Sequence, residues 1–110
     1  MKVSDLYQMS EFQLVTKGVK GDKEISGGYC GDLLSWVMAY AQKGNLWITV
    51  QTHVNIVAIA VLLELSCIIV PEDINVEEET IKKSIEEDIA ILKSHLNSFD
   101  IVQLLSERGM

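Results

Sequence analysis

Arginine is nearly missing from this chain: Arg108, beside the C-terminus, is the one arginine among nine basic residues. Sixteen acidic residues outweigh them, and the formal net charge is −7. Neutralising phosphates needs clustered Lys and Arg, so nucleic acid is not an expected partner. An anionic membrane surface is disfavoured on the same ground. Cysteine is scarce too. Cys30 and Cys67 form no CxxC pair and no disulfide framework, and an iron–sulfur cluster asks for four thiolates. The opening MKVSDLYQMSEF has no apolar core of a signal peptide. Together these absences point to a reduced, cytoplasmic setting.

A long hydrophobic run is also lacking. Residues 54–70, VNIVAIAVLLELSCIIV, fall short of the ~20 apolar residues a spanning helix needs, and Asn55, Glu64 and Ser66 interrupt them. A change of period inside the segment reads instead as a buried helix followed by a buried strand, with no membrane span.

What is present suits a globular fold. Hydrophobic residues make up 48% and charged residues 23% of 110 residues, which is enough for one self-sufficient domain over 1–110. Ser4 is placed to cap a short helix to about Met9, with Val3 as a hydrophobic staple. Phe12–Lys17 reads as a strand, Gly18–Asp22 as a turn and Glu24–Ile25 as a short return strand. Ser26–Gly31 is a glycine-rich loop. Asp32 then caps a helix to about Gln42, with Leu33, Val37, Tyr40 and Ala41 as its apolar stripe, flanked by Leu34 and Met38. Leu46–Val50 is a strong strand signal, Gln51–Asn55 a connection, and a helix follows to about Leu65. Cys67–Val70 is a strand stopped by Pro71. Asn75 with Glu78 opens a helix to about Asp88, its stripe being Ile81 and Ile85, with Glu78–Lys82 and Glu79–Lys83 as ion pairs on the wet side. Ile89–Leu92 is a strand and Ser98–Glu107 the last helix. Strands alternating with helices imply right-handed crossovers: an α/β three-layer sandwich with a mainly parallel sheet of about five strands and helices on both faces.

Chemistry-bearing candidates are few. Gly27, Gly28 and Gly31 precede a helix, as in a phosphate cradle. Yet Ser26 stands where a dinucleotide fingerprint has glycine, and Asp32 where a P-loop ends in Lys and a hydroxyl. A tight turn allowing close strand–helix packing is the alternative reading. The loop after the strongest strand offers more: Thr49, Gln51, Thr52, His53 and Asn55 supply an imidazole, two amides and two hydroxyls beside a helix start, beyond the carboxyl end of a parallel strand where ligands bind. Thr52 capping the helix, with His53 and Asn55 serving the loop backbone, is the plainer alternative. Cys30, His53, Cys67 and His95 are too isolated in sequence to announce a zinc site. Cys30 beside a helix start could be an activated thiol, but Asp32 opposes that and neither histidine is placed next to it. Catalytic residues, a metal and a cofactor are therefore not expected. The acidic stretch 72–88 reads as a solvated face. Residues 56–63, IVAIAVLL, are apolar all round, so either other elements of the chain cover this helix or a second chain does; the expectation is that its outer side forms part of a homodimer contact.

The tracts DLLSWVM, LWITVQTHVNIVAIA and CIIVPE, within a pattern running from about Ile25 to Leu105, resemble small stand-alone members of the DRTGG domain family. That family is similar to the N-terminal domain of HPr kinase/phosphorylase. The Asp-Arg-Thr-Gly-Gly string itself is absent. The resemblance implies an α/β sandwich and a regulatory or accessory role, since such domains occur beside CBS or phosphotransacetylase domains and with iron-only hydrogenase systems. It leaves two expectations: a module binding a small polar ligand at the 49–55 loop, or an interaction subunit for a partner enzyme that takes no small ligand.

Overall fold

A computed structural model describes residues 1–110. The elements are α1 (Val3–Tyr7), β1 (Phe12–Leu14), β2 (Gly27–Cys30), α2 (Leu34–Tyr40), β3 (Asn45–Ile48), α3 (Asn55–Leu63), β4 (Cys67–Val70), α4 (Glu78–Glu86), β5 (Ala90–Ser94) and α5 (Ser98–Glu107). One sheet runs in the order β1-β5-β4-β3-β2. β2 to β5 are mutually parallel, and β1 pairs antiparallel with β5. No helix is long and apolar enough to cross a membrane.

The central strands read as continuous apolar runs because they are covered on both faces. All four residues of β3 and all four of β4 are buried, as expected of a parallel sheet between two helix layers. Leu46, Ile48, Cys67 and Ile69 face α1 and α5, where Val3, Leu6, Ile101 and Leu105 meet them. Trp47, Ile68 and Val70 face the other layer, with Val37 of α2 and Ile56, Val57 and Ala60 of α3. Each such side chain removed from water stabilises the fold by roughly 1.5–3 kcal/mol. Trp47 is fully buried, and its indole N–H donates to the Gly31 carbonyl at 2.9 Å. The burial thereby leaves no unmet donor.

The three-layer sandwich follows the alternation in the sequence, but several boundaries and faces differ. β1 stops at Leu14 rather than Lys17, because the buried Thr16 hydroxyl takes the Ile91 N–H at 3.0 Å in place of a ladder carbonyl. The return strand at Glu24–Ile25 is reduced to a lone bridge between Lys2 and Glu24. α1 begins at Val3 rather than after Ser4, with the Asp5 carboxylate accepting the Lys2 N–H at 2.8 Å.

Two larger corrections concern the glycine-rich segment and the helix faces. Gly27 and Gly28 do not form a loop; they begin the edge strand β2, in parallel register with Asn45 and Leu46. Gly27 has φ +142°, a conformation that side chains disfavour, and a Cβ at Gly28 would lie 3.1 Å from the Leu46 side chain. Glycine here serves close strand packing. In α2 the expected stripe is mostly wet: Val37 and Ala41 are buried, while Leu33, Tyr40 and Met38 are exposed. α4 is rotated from its apolar stripe, burying Thr80 and Ser84 and leaving Ile85 exposed. Hydrogen bonds decide that rotation. Thr80 donates to the Thr52 carbonyl at 2.7 Å and Ser84 to the Ile89 carbonyl at 2.6 Å. The helix therefore begins after Glu77, and Asn75 instead accepts from Lys93. The ion pairs at its end join Lys83 to Glu86 and Glu87.

Candidate functional site

Parallel register places the ends of β2 and β3 side by side, Cys30 opposite Ile48. The residues just beyond each strand consequently meet. One carboxylate oxygen of Asp32 accepts the Thr49 hydroxyl and the Val50 N–H, both at 2.8 Å. The Gln51 side-chain amide donates to the Asp32 carbonyl at 2.9 Å, and the Gln51 N–H donates to the Thr49 hydroxyl at 3.2 Å. On the other flank, Thr80 holds the Thr52 carbonyl, and the Thr52 hydroxyl reaches Glu77 at 3.4 Å. The loop from Thr49 to Thr52 is thus braced from two sides, by Asp32 in the β2–α2 connection and by Glu77 and Thr80 at the start of α4.

The five residues singled out in the sequence do share one loop, but they divide by role. Thr49 is buried and Gln51 and Thr52 are half-buried, with their polar groups engaged in the brace. His53 and Asn55 are exposed at the loop tip. His53 Nδ1 pairs with Asn55: protonated it donates to Oδ1, unprotonated it accepts the Asn55 N–H at 3.2 Å. Nε2 is the ring nitrogen left for an outside partner.

Two expectations for this loop are corrected. The N–H groups at the start of α3 are not free: Asn55 donates to the His53 ring, Ile56 to the His53 carbonyl at 3.1 Å, and Val57 to the Val54 carbonyl at 3.0 Å. No anion cradle of backbone donors remains. Nor do Thr49, Gln51, Thr52, His53 or Asn55 line any of the main surface clefts. Topology explains this. A crevice opens in an α/β sheet where neighbouring strands send their helices to opposite faces. Here β2, β3, β4 and β5 are laid down in sequence order, with α2, α3 and α4 all on one face, so no switch falls at the ends of β2 and β3. The helices part to opposite faces only beyond β4 and β5, where α4 and α5 lie in different layers.

The other candidates are scattered. No group of three or more His, Cys, Asp or Glu side chains is placed to hold a metal ion. Cys67 is fully buried, and burial pushes its thiol up to about 12, with the Ser66 hydroxyl acting in the opposite direction. Such a thiol is no nucleophile at neutral pH. Cys30 is exposed on β2. Asp32 was the residue missed by reading the sequence for function, where it serves as a helix cap. In the structure α2 takes no side-chain cap, and the carboxylate turns to the neighbouring strand end. Local spacing carries no signal of that contact; the shared register of β2 and β3 does.

The architecture is that of an α/β sandwich, DRTGG-like in fold. The likeness is to the crystal structure of the CBS and DRTGG domains of the regulatory region of Clostridium perfringens pyrophosphatase, complexed with its activator diadenosine tetraphosphate. The TM-score is 0.69 at 14% identity, over 94% of this chain and 45% of that chain. This chain therefore spans less than half of its neighbour's length. No protein-family model matches the sequence, and the comparison with curated proteins gives no match.

Proposed function

We propose that this chain is a non-catalytic regulatory module of a cytoplasmic system, working as a homodimer and taking a small polar ligand at the tip of the β3–α3 loop. One observation carries the reading: a loop braced by Asp32 and Thr80 presents two exposed polar side chains, His53 and Asn55. Rigid support of this kind lowers the ordering cost of binding. The fold it shares with a nucleotide-activated regulatory region makes nucleotides the first class to try. The test is a thermal-shift screen of mono-, di- and dinucleoside polyphosphates, followed by titration of His53→Ala and Asn55→Ala. A ligand whose affinity falls about tenfold or more in either variant fits the proposal. A flat screen, or a ligand indifferent to both changes, ends it.

A second reading, an interaction subunit for a partner enzyme, has its own support. Trp36 and Tyr40 on α2 and Phe99 on α5 are large and more than half exposed, and aromatic side chains in such positions are common anchors of protein interfaces. Recovery of the same enzyme with wild-type chain but not with Phe99→Ser, from the native cell, is the result that reading requires.

A further inference from the structure

The two margins of the sheet are unlike. β1 is three residues long and flanked by Glu11 and Lys17, and charge and brevity are the usual ways of blunting an edge. β2, four residues long, is also short but lacks the flanking charges. From Gly27 to Gln42 the one charged residue is Asp32, which lies beyond the end of β2 with its carboxylate held on Thr49 and Val50.

Strand alternation fixes what β2 offers. Gly31 donates to Ile48 of β3 at 3.1 Å, so the alternate residues Gly28 and Cys30 turn their N–H and C=O groups outward. In the single chain water meets these groups; a second extended backbone can replace it with ladder hydrogen bonds. Apolar surface continues on both sides of the strand. On one face lies α2, the outermost helix of its layer, with Trp36 and, just before the helix, Leu33 exposed, and with the Trp36 and Tyr40 rings tilted against each other at 5.1 Å between ring centres. On the other face an open groove of about 410 Å³ runs between β2 and α5, lined by residues such as Cys30, Ile48, Val102 and Met110, without a charged side chain.

We infer that the β2 margin is a self-association surface, on which β2 pairs antiparallel with β2 of a second copy. A twofold axis normal to the sheet brings the two α2 helices together on one face and joins the two grooves on the other. The outward groups of Gly28 and Cys30 are then satisfied reciprocally, as an isologous contact requires. Charge selects the occupant. Two chains of net charge −7 repel each other, and this strip lets identical copies approach without opposing like charges, while a strongly charged partner would find no countercharge on it. The inference rests on the dimeric part of the proposed function and moves the contact from α3 to β2 and α2; it does not depend on the ligand.

Sedimentation velocity over a range of micromolar concentrations, with amide exchange on the same samples, tests it. The wild-type chain is expected to dimerise, and exchange at Gly28 and Cys30 to slow with concentration while Gln13 on the opposite margin stays unchanged. Trp36→Lys and Cys30→Lys, both at exposed positions, should raise the dimer dissociation constant by about tenfold or more. Leu62→Lys, on the exposed flank of α3, should leave it unaltered. A wild-type monomer throughout, or a dimer that Leu62→Lys breaks and Trp36→Lys spares, overturns the inference. If a lysine variant does not fold, the amide exchange of the unaltered chain still decides. A flat ligand screen beside an intact dimer removes the ligand reading alone.

Discussion

The strand pair β3–β4 and the margin formed by β2 and α2 are both apolar in sequence, yet they end in opposite environments. LWI and CIIV are buried throughout, whereas LSWVMAY of α2 buries Val37 alone. Hydrophobicity states what a segment can bury, and the number of neighbours decides what it does bury. β3 and β4 have a strand on each side and a helix layer on each face. α2 and β2 are last in their layers, so each has one flank with nothing against it in the single chain.

The contrast is broken or sharpened first in the centre. Ile68→Ala removes a wholly buried side chain and should cost about 2–5 kcal/mol in denaturant unfolding. A cost under ~1 kcal/mol would mean that the centre is no better packed than the margin. Asp32→Ala strips two hydrogen bonds that join the two regions and should cost about 1–2 kcal/mol, tempered by the exposure of the carboxylate. The same change should loosen the loop, read as faster amide exchange at Val50.

The two thiols report the contrast through pH. Below pH 9 Cys67 is neutral in both folded and unfolded chains. Between 9 and about 12 the unfolded chain ionises this thiol and the native one does not, so its contribution to stability is lost as pH rises through that window. Cys67→Ala should flatten the alkaline decline by about one proton's worth of slope. In the native state a thiol reagent should modify Cys30 and spare Cys67. The smallest effect belongs to the margin: Trp36→Ser should change the unfolding free energy of the monomer by no more than about 0.5–1 kcal/mol, measured well below any dimerisation range. A larger loss would show Trp36 to be core rather than surface.

Much of the fold was legible because burial of a parallel strand leaves a signal that needs no context. Cys67–Val70 is bounded as its composition and Pro71 indicate, and the β3 signal errs by a residue or two at each end. The glycine segment misled because glycine favours turns locally, while β2 uses glycine for close approach to Leu46. α4 misled because two hydroxyl side chains found carbonyls, Thr80 that of the distant Thr52 and Ser84 that of Ile89 just past the helix, and those bonds outweighed its isoleucine stripe. At the candidate site the 49–55 loop was visible as a cluster of polar side chains after a strong strand. Its brace was not, since Asp32 is distant in sequence and Glu77 and Thr80 more so.

The sequence by itself determined the alternation of strands and helices, the buried pair β3 and β4, and the acidic character of the surface, because these follow from composition and local period. Tertiary structure alone decided the strand order, and with it which polar groups beyond β3 are spent and which margin stays open. The physical reason is that a crossover fixes handedness but not destination: only when all four parallel strands have taken their places does it emerge that the Thr49–Asn55 loop lies away from the point where helices part to opposite faces and that β2 is left with one unpaired side.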